Sequence, residues 1–134
     1  MKYLAVDYGT KITGLALCDP TETIVSPLKG LPTDKILLEK IARIVKDEGI
    51  EAVVVGLPLN MDGTKSGQAD IVSEFADKLK KLIDVPVFFQ DERLTSYAAE
   101  GKLAEAQLTR KKRRARIDAI AAAEILRQFL DSKH

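Results

Sequence analysis

Acidic residues from three distant parts of the chain could together bind a divalent cation. Asp7 and Glu92 each follow an apolar run, and Asp118 lies in an alanine-rich segment further along the chain. Carboxylates held close together repel one another unless they share a cation or protons. Mg²⁺ and Mn²⁺ prefer hard oxygen ligands, and one or two such ions can activate water for attack on a phosphodiester. These residue types therefore predict metal-dependent hydrolysis, provided that the fold brings them together.

Each of these acids also has an ordinary structural explanation. Asp7 could shape the turn in Asp-Tyr-Gly-Thr, and Glu92 could be a solvated strand end or a helix cap. Asp118 could be stabilised by the dipole at the start of a helix. Convergence of all three acids on one edge of the fold is what favours a catalytic site over these explanations.

Other catalytic side chains are scarce. His134 is the only histidine and Cys18 the only cysteine among the 134 residues. A lone cysteine excludes an internal disulfide and a cysteine-based zinc site, and a histidine at the end of the chain argues against histidine catalysis. Carboxylate chemistry is therefore the most economical interpretation.

Positive charge is concentrated in one block of the sequence. Lys and Arg total 21 against 20 Asp and Glu, so the net charge is +1, yet without the block 15 basic residues face those 20 acids. A basic block just before Asp118 suits the backbone phosphates of a nucleic acid, although most such runs are solvated surface. The block consists of Arg110, Lys111, Lys112, Arg113, Arg114 and Arg116.

The elements that must position these residues follow from the apolar periodicity, which predicts the order β-β-β-α-β-α-β-α-α. Strands are expected over residues 3–6, 14–18, 23–27, 51–56 and 85–89. Helices are expected over residues 36–45, 71–82, about 96–107 and 117–130. Thr33 or Asp34 should cap the first helix, and Gly49 should end it.

This order predicts an α/β fold with a mixed five-stranded sheet. Three strands joined by short turns should be antiparallel, and the two that follow helices should be parallel, with right-handed crossovers and helices on the faces. Sites in such sheets lie at the carboxyl ends of the strands, where all three acids are expected.

Length and composition predict one domain over residues 1–134, without a linker or repeat. The chain shows neither a signal-peptide pattern nor an apolar run long enough to cross a bilayer. We expect a cytoplasmic protein with no membrane partner.

Four motifs resemble those of the YqgF/RuvX family, small bacterial proteins that have an RNase H-like fold and are also described as Holliday junction resolvase-like. The motifs occur in the family's order over essentially the whole chain, and the second and third are the specific ones. They are Asp7-Tyr8-Gly9-Thr10-Lys11 with Gly14-Leu15-Ala16, residues 55–64, Asp91-Glu92-Arg93-Leu94-Thr95, and Asp118-Ala119-Ile120-Ala121-Ala122.

The resemblance implies a nuclease that matures the 5′ end of precursor 16S ribosomal RNA during ribosome biogenesis, with precursor RNA and ribosomal particles as partners. It implies Asp7, Glu92 and Asp118 as the catalytic, metal-binding acids and Mg²⁺ or Mn²⁺ as the cofactor. Ile12-Thr13 follows Lys11 where the family often continues Lys-Arg. Compared with the related RuvC resolvases, the fourth strand ends without a carboxylate and position 121 is alanine, so three acids stand where four are expected.

Several residues are candidates for contact with nucleic acid. The loop over residues 58–67 could hold a phosphate on its backbone amides or could form a tight strand-to-helix connection. Arg93 could contact phosphate or neutralise the two acids before it. The candidates are Lys11, Asn60, Arg93 and the six residues of the basic block.

Other functions compete with this one. A Holliday junction resolvase-like DNA endonuclease would need two sites on a two-fold dimer, whereas we expect a monomer or a weak homodimer. A non-catalytic RNA-binding ribosome-assembly factor would keep the acids only as a vestigial or regulatory metal site. Asp-Tyr-Gly-Thr also resembles a phosphate-binding turn of actin-like ATPases and sugar kinases, but those enzymes clamp nucleotide between two domains and this chain has room for one.

Overall fold

The computed structural model describes residues 1–60, 62–64, 66–91 and 110–133, with the backbone alone over residues 110–116. The helix expected near residues 96–107 lies outside these ranges. The strands are β1 Tyr3–Asp7, β2 Ile12–Cys18, β3 Val25–Pro32, β4 Ala52–Leu57 and β5 Val87–Asp91. The helices are α1 Leu37–Asp47, α2 Gly67–Lys80 and α3 Arg110–Lys133.

The described strands form one mixed sheet in the order β3-β2-β1-β4-β5. β2 is antiparallel to both β1 and β3, whereas β1, β4 and β5 run parallel to one another. The predicted α/β architecture, with three antiparallel strands followed by two parallel ones, is thus confirmed. The carboxyl ends of β1, β4 and β5 lie at one edge, which we call the carboxyl edge.

Different helices and different side chains cover the two faces of the sheet. α1 and α2 cover the large-residue face, where the strands bury Leu4, Val6, Leu15, Val53 and Val55. α3 covers the small-residue face, where the strands bury Tyr3, Ala5, Ala16, Cys18, Ala52 and Val54. α3 itself buries Ala119, Ala121, Ala122 and Ala123. Small side chains on both partners allow this helix to lie close to the sheet, because interiors pack without voids.

β3 lies later in the chain than the sequence pattern predicts. Thr23 and Ile24 belong to the preceding turn, because their backbone N–H groups donate to the Asp19 carboxylate at 2.8 and 2.7 Å. A hydrogen bond from the Thr21 hydroxyl and these backbone bonds lower the pKa of Asp19 to about 2. β3 is an edge strand with largely exposed residues, so it can include Pro27 and lacks the apolar alternation that would have marked it.

Helix starts also differ from expectation. Neither Thr33 nor Asp34 caps α1: Ile36 holds the cap position, and the Asp34 carboxylate accepts from the Ile36 N–H at 3.1 Å in the turn before the helix. The prediction that Gly49 ends the helix is correct, since its φ is +63°. α2 begins after Ser66, whose hydroxyl accepts from the Ala69 N–H at 3.1 Å.

The buried residues of α2 are in part different from the apolar residues whose spacing predicts this helix. Phe75 and Leu79 are buried as the periodicity suggests. Ile71 is exposed, and Leu82 lies beyond the end of the helix and is also exposed. Ala69, Val72 and Ala76 are buried in their place.

The last turn of α3 is fastened to the edge of the sheet opposite the carboxyl edge. Lys133 Nζ donates to Tyr3 Oη at 2.8 Å and to Glu22 Oε1 at 2.9 Å. Phe129 meets the ring of Tyr3 edge-on, with centroids 5.4 Å apart. The hydrogen bond from Lys133, followed by that from the Met1 amine, lowers the pKa of Glu22 to about 2. The C-terminal part of α3 is therefore held by ionic and aromatic contacts together.

Across the residues that the structure describes, none of the helices combines the length and apolar character needed to span a membrane.

Candidate functional site

Asp7 is the last residue of β1 and is partly buried at the carboxyl edge. Tyr3 and Ala5 of the same strand lie on the small-residue face. Since successive side chains of a strand alternate between faces, Asp7 belongs to this face as well. Its antiparallel partner in β2 is Gly14, and directly opposed residues share a face. Asp7 thus stands beside a position that has no side chain.

Gly14 is where α3 touches the sheet most closely. A Cβ atom built on Gly14 would overlap the carbonyl carbon and oxygen of Asp118, and it would lie 2.9 Å from the backbone nitrogen of Ala119. The atoms in the way are backbone atoms, so no side-chain rotation could relieve the overlap. Asp7 therefore lies beside this glycine in the sheet and Asp118 lies over it, so their backbones are close together although 111 positions separate them in sequence.

α3 begins at Arg110, seven residues earlier than the sequence pattern predicts. Lys and Arg are good helix formers, so the basic block continues the helix instead of preceding it. Asp118 consequently lies more than two turns inside α3, at 3.6 residues per turn. The interpretation of Asp118 as a residue favoured by the helix dipole is wrong, because that effect fades within the first turn.

Asp91 does not lie on the face of Asp7. It pairs with Leu57 of β4, which packs on the large-residue face, whereas Gln90 pairs with Gly56 one position earlier. The alternation of β5 assigns Gln90 to the small-residue face and Asp91 to the opposite one. Asp91 therefore lies on the face opposite to that of Asp7.

The donor set suits a hard divalent cation as far as it is described. Asp7 lies beside Gly14 in the sheet, the backbone of Asp118 contacts the same glycine, and carboxylate oxygens are the ligands that such a cation prefers. Glu92, the third expected ligand, lies outside the described residues. Within the described residues there is no cluster of three or more His, Cys, Asp or Glu side chains that could hold a metal ion. The structure thus brings the backbones of Asp7 and Asp118 to the same glycine.

The turn after Asp7 is held by two threonines. Thr33 donates its hydroxyl to the Gly9 carbonyl at 2.7 Å and its backbone N–H to the Lys11 carbonyl at 2.9 Å. The Thr13 hydroxyl, which is fully buried, lies 2.8 Å from the Thr33 hydroxyl. A Cβ on Gly9 would overlap the Ile12 carbonyl oxygen, so the turn is also sterically tight. Lys11 is exposed on this fixed turn.

The sequence pattern indicates no role at this site for Gly14, Thr13 or Thr33, although it offers Thr33 as a candidate cap of α1. Gly14 belongs to a quoted motif, but its contact is with a helix more than 100 residues away, and nothing local signals it. Thr13 lies next to the first motif, and no residue pattern signals its contact with Thr33. Thr33 lies outside all four motifs, and only the folded backbone shows its two bonds to the turn.

The loop between β4 and α2 is organised mainly by its own hydrogen bonds in the part that is described. The backbone N–H of Asn60 donates to the Thr64 carbonyl at 2.8 Å, and the Asn60 side-chain amide donates to the Thr64 hydroxyl at 3.0 Å. Asp62 accepts from the Thr64 N–H at 3.0 Å, and the Ser66 hydroxyl donates to the Pro58 carbonyl at 2.6 Å. These contacts favour the interpretation of a tight connection over that of a phosphate cradle.

Arg93 and the basic block are also expected to contact nucleic acid, and the structure describes them only in part. Arg93 lies outside the described ranges together with Glu92. The six basic residues form the first turns of α3 as helical backbone. Since α3 also carries Asp118, the basic block and this acid belong to one continuous helix.

Comparison with known proteins gives a consistent result. A family model described as RuvX, Holliday junction resolvase, matches residues 1–132. A protein of Roseiflexus sp. (strain RS-1) named "Putative pre-16S rRNA nuclease" is 44% identical over 98% of this chain and 95% of its own. A protein of Geobacillus thermodenitrificans with the same name is 39% identical over 99% of both chains.

Solved structures share the fold at low sequence identity. The fowlpox virus resolvase in complex with Holliday junction DNA superposes with a TM-score of 0.59 at 14% identity, covering 99% of both chains. The RuvC protein of Thermus thermophilus in complex with a Holliday junction has a TM-score of 0.54 at 14% identity, covering 99% of this chain and 96% of its own. These likenesses support the RNase H-like architecture expected from the sequence.

Proposed function

Since the chain belongs to the RuvX family, we propose that it is a nuclease that hydrolyses phosphodiester bonds in the 5′-end maturation of precursor 16S ribosomal RNA. The RNA assignment is supported by the names of relatives that match nearly the full length of the chain. A single domain over residues 1–134, working in the cytoplasm on ribosomal particles, fits this assignment.

The observation that carries the proposal is the meeting of Asp7 and Asp118 at Gly14. Two acidic residues whose backbones meet near the ends of parallel strands support a cation site, because sheets of this type bind their ligands at that edge. Glu92, directly after β5, is proposed to complete the set. Ala121 and Gly56 supply no carboxylate at this edge, so the acids number three.

Mg²⁺ or Mn²⁺, as one or two ions, would be held by Asp7, Glu92 and Asp118. When bound, such ions lower the pKa of water and stabilise the charge that develops on the phosphodiester oxygens. The chain's own part is to hold the carboxylates in place: Asp7 through the ladder of β1, and Asp118 through a helix that is fastened at its far end.

Binding of RNA is proposed to rest on positive charge beside the acids. Lys11 on its fixed turn, Asn60 and Arg93 would contact the backbone near the scissile bond. The six basic residues at the start of α3 would hold a further stretch of the RNA backbone. Contacts of this kind position a nucleic acid without reading its sequence, and they weaken as salt rises.

The test is cleavage of precursor 16S RNA by the purified protein with added Mg²⁺ or Mn²⁺. Wild-type protein should shorten the 5′ end of the precursor, and chelation of the metal should stop the reaction. Asp7→Asn and Asp118→Asn should lower the rate on the order of 10³-fold while leaving the unfolding temperature nearly unchanged. RNA binding without metal-dependent cleavage would favour the non-catalytic assembly factor.

A DNA four-way junction is the second substrate to test. The family description names a Holliday junction resolvase, and two resolvases share the fold. Symmetric cutting of a junction requires two sites in a two-fold dimer, so the oligomeric state in solution should be measured alongside the cleavage. Cleavage of the junction by a stable dimer, with no action on precursor RNA, would replace the RNA proposal.

A further inference from the structure

We infer that Gly14 is a positioning residue that sets the separation of Asp7 and Asp118 and thereby the affinity of the site for a divalent cation. This inference rests on the proposed function, because it concerns the same metal site. Nothing in the comparisons assigns a role to this glycine, and it supplies no side chain that could touch an ion or a substrate.

The geometry leaves no room for any larger residue. A Cβ at position 14 would overlap the Asp118 carbonyl group, and its 2.9 Å approach to the Ala119 nitrogen is also closer than real Cβ contacts. Both neighbours are helix backbone, which cannot rotate out of the way. Alanine at this position therefore requires α3 to move away from β2 by a distance on the order of 1 Å.

The movement would act mainly on Asp118. Beyond this residue, Ala122, Ala123, Ile125 and Leu126 of α3 are completely buried against the sheet. Lys133 fastens the last turn to Tyr3 and Glu22. Because the far end is fixed on these contacts, relief of the overlap should tilt the nearer end of the helix outward and carry Asp118 with it.

A displacement of α3 by this distance should weaken cation binding more than it weakens the packing of the core. Carboxylate oxygens bind Mg²⁺ at about 2.0–2.1 Å in near-ideal octahedral geometry, and Mn²⁺ likewise takes octahedral oxygen ligands. Asp7 is fixed in the sheet and cannot follow the helix, since its strand is paired on both sides. The carboxylates would then no longer reach one ion together.

The register of β3 gives a second, independent indication that this row of the sheet is kept free of side chains. Gly14 pairs with Gly30 of β3, so the row that begins at Asp7 continues through two glycines. Opposed residues share a face, and this is the face that α3 covers. Asp7 is therefore the one side chain that β1, β2 and β3 place in this row.

The experiment compares wild type, Gly14→Ala and Leu130→Ala by calorimetric titration with Mn²⁺ and by thermal unfolding. Leu130 is buried at the other end of α3, so its truncation weakens the packing of the same helix without touching the acids. We expect Gly14→Ala to weaken Mn²⁺ binding roughly 10- to 100-fold. Leu130→Ala should keep wild-type affinity within about twofold although it unfolds at a lower temperature.

A longer acid provides a readout that general loss of packing would not give. Asp118→Glu adds one methylene and should weaken Mn²⁺ binding in the wild-type background, where the spacing is already correct. In the Gly14→Ala background, the same change should strengthen binding, because the longer side chain spans the wider gap. Should Gly14→Ala be partly unfolded in buffer, the titrations are repeated in trimethylamine oxide, which favours the folded state.

Two results would overturn the inference: wild-type Mn²⁺ affinity in folded Gly14→Ala, or an effect of Asp118→Glu with the same sign in both backgrounds. Failure of the proposed function looks different. In that case wild-type protein binds no Mn²⁺ or cleaves no nucleic acid, whatever residue stands at position 14.

Discussion

The two faces of the sheet are built from different residues and have different roles. On the large-residue face, α1 and α2 bury Leu, Ile, Val and Phe side chains against the strands. On the small-residue face, the alanines of the strands pack against Ala122, Ala123 and larger residues of α3, and Gly14 contacts the backbone of Asp118; this face also carries Asp7. Bulky side chains bury apolar area and stabilise the fold, whereas small ones let the backbone of α3 approach the sheet closely.

The largest effect on stability is expected from truncation on the large-residue face. Leu79→Ala removes a fully buried side chain of α2 and should lower the free energy of unfolding by about 2–5 kcal/mol. Mn²⁺ affinity of the folded protein should stay at the wild-type value, because α3 and the acids are untouched. Urea denaturation and Mn²⁺ titration measure the two quantities, and a fall in affinity would show that the faces are not separable.

The second largest effect on stability is expected from a larger side chain on the small-residue face. Ala122 is fully buried one turn after Asp118, so Ala122→Val should cost about 1–3 kcal/mol of stability by overpacking and should also push Asp118 outward. Ala76 is equally buried in α2 on the other face and provides the matched control. Ala76→Val should cost similar stability but leave Mn²⁺ affinity unchanged, as followed by calorimetry. Equal losses of affinity in both variants would remove the distinction between the faces.

A substitution in the turn that follows Asp7 should have a smaller effect, which is divided between stability and the KM for RNA. Thr33→Val removes the bond to the Gly9 carbonyl and leaves the buried Thr13 hydroxyl without this partner, at a cost of about 1–3 kcal/mol. The measurements are thermal unfolding and cleavage kinetics. KM for RNA should rise more than kcat falls, since the turn presents Lys11.

The double variant Thr13→Val with Thr33→Val separates the two effects. It should regain part of the stability, because both partners of the 2.8 Å contact are then apolar. It should not regain the wild-type KM. Recovery of both quantities together would mean that the threonines serve stability alone.

The smallest effect on stability is expected from removing the ionic contact at the C-terminal end of α3. Because Lys133 and the Met1 amine hold the pKa of Glu22 at about 2, below its ordinary 4.5, this contact stabilises the folded state above pH 4.5. The contribution should be lost as the pH falls from 4.5 toward 2. Glu22→Gln should therefore lower Tm slightly at pH 7, and thermal melts should show the difference from wild type shrinking over that acid range. A difference that persists at pH 2 would contradict this assignment.

The sequence predicts those parts of the fold and site that depend on local pattern. Branched apolar runs mark β1, β2 and β4, and the short turns between the first three strands establish their antiparallel pairing. Asp7 follows directly from the end of β1. By contrast, β3 is exposed and contains prolines, so it lacks the alternation that identifies a strand. The predicted start of α3 is wrong because the first turns of this helix are basic and have no apolar face to detect.

Contacts between distant segments lie beyond such patterns. The overlap that alanine at position 14 would make with Asp118, and the bonds from Thr33 to the turn at Gly9, join residues that no periodicity relates. The face of Asp91 depends on the register of β5 with β4, and β5 begins and ends two residues later than the pattern suggests. A shift of one residue reverses the face of a strand side chain, so this detail needs the observed register.

α3 runs for 24 residues, which corresponds to about 36 Å of helix, and it carries the basic residues at one end, Asp118 within it and the Lys133 anchor at the other. Under the proposed function, this continuous helix would couple the binding of nucleic acid to the binding of the cation. Nucleic acid that shifts the first turns would also shift Asp118 and so change the affinity for the cation. By reciprocity, the cation alters the affinity for the polyanion by the same factor.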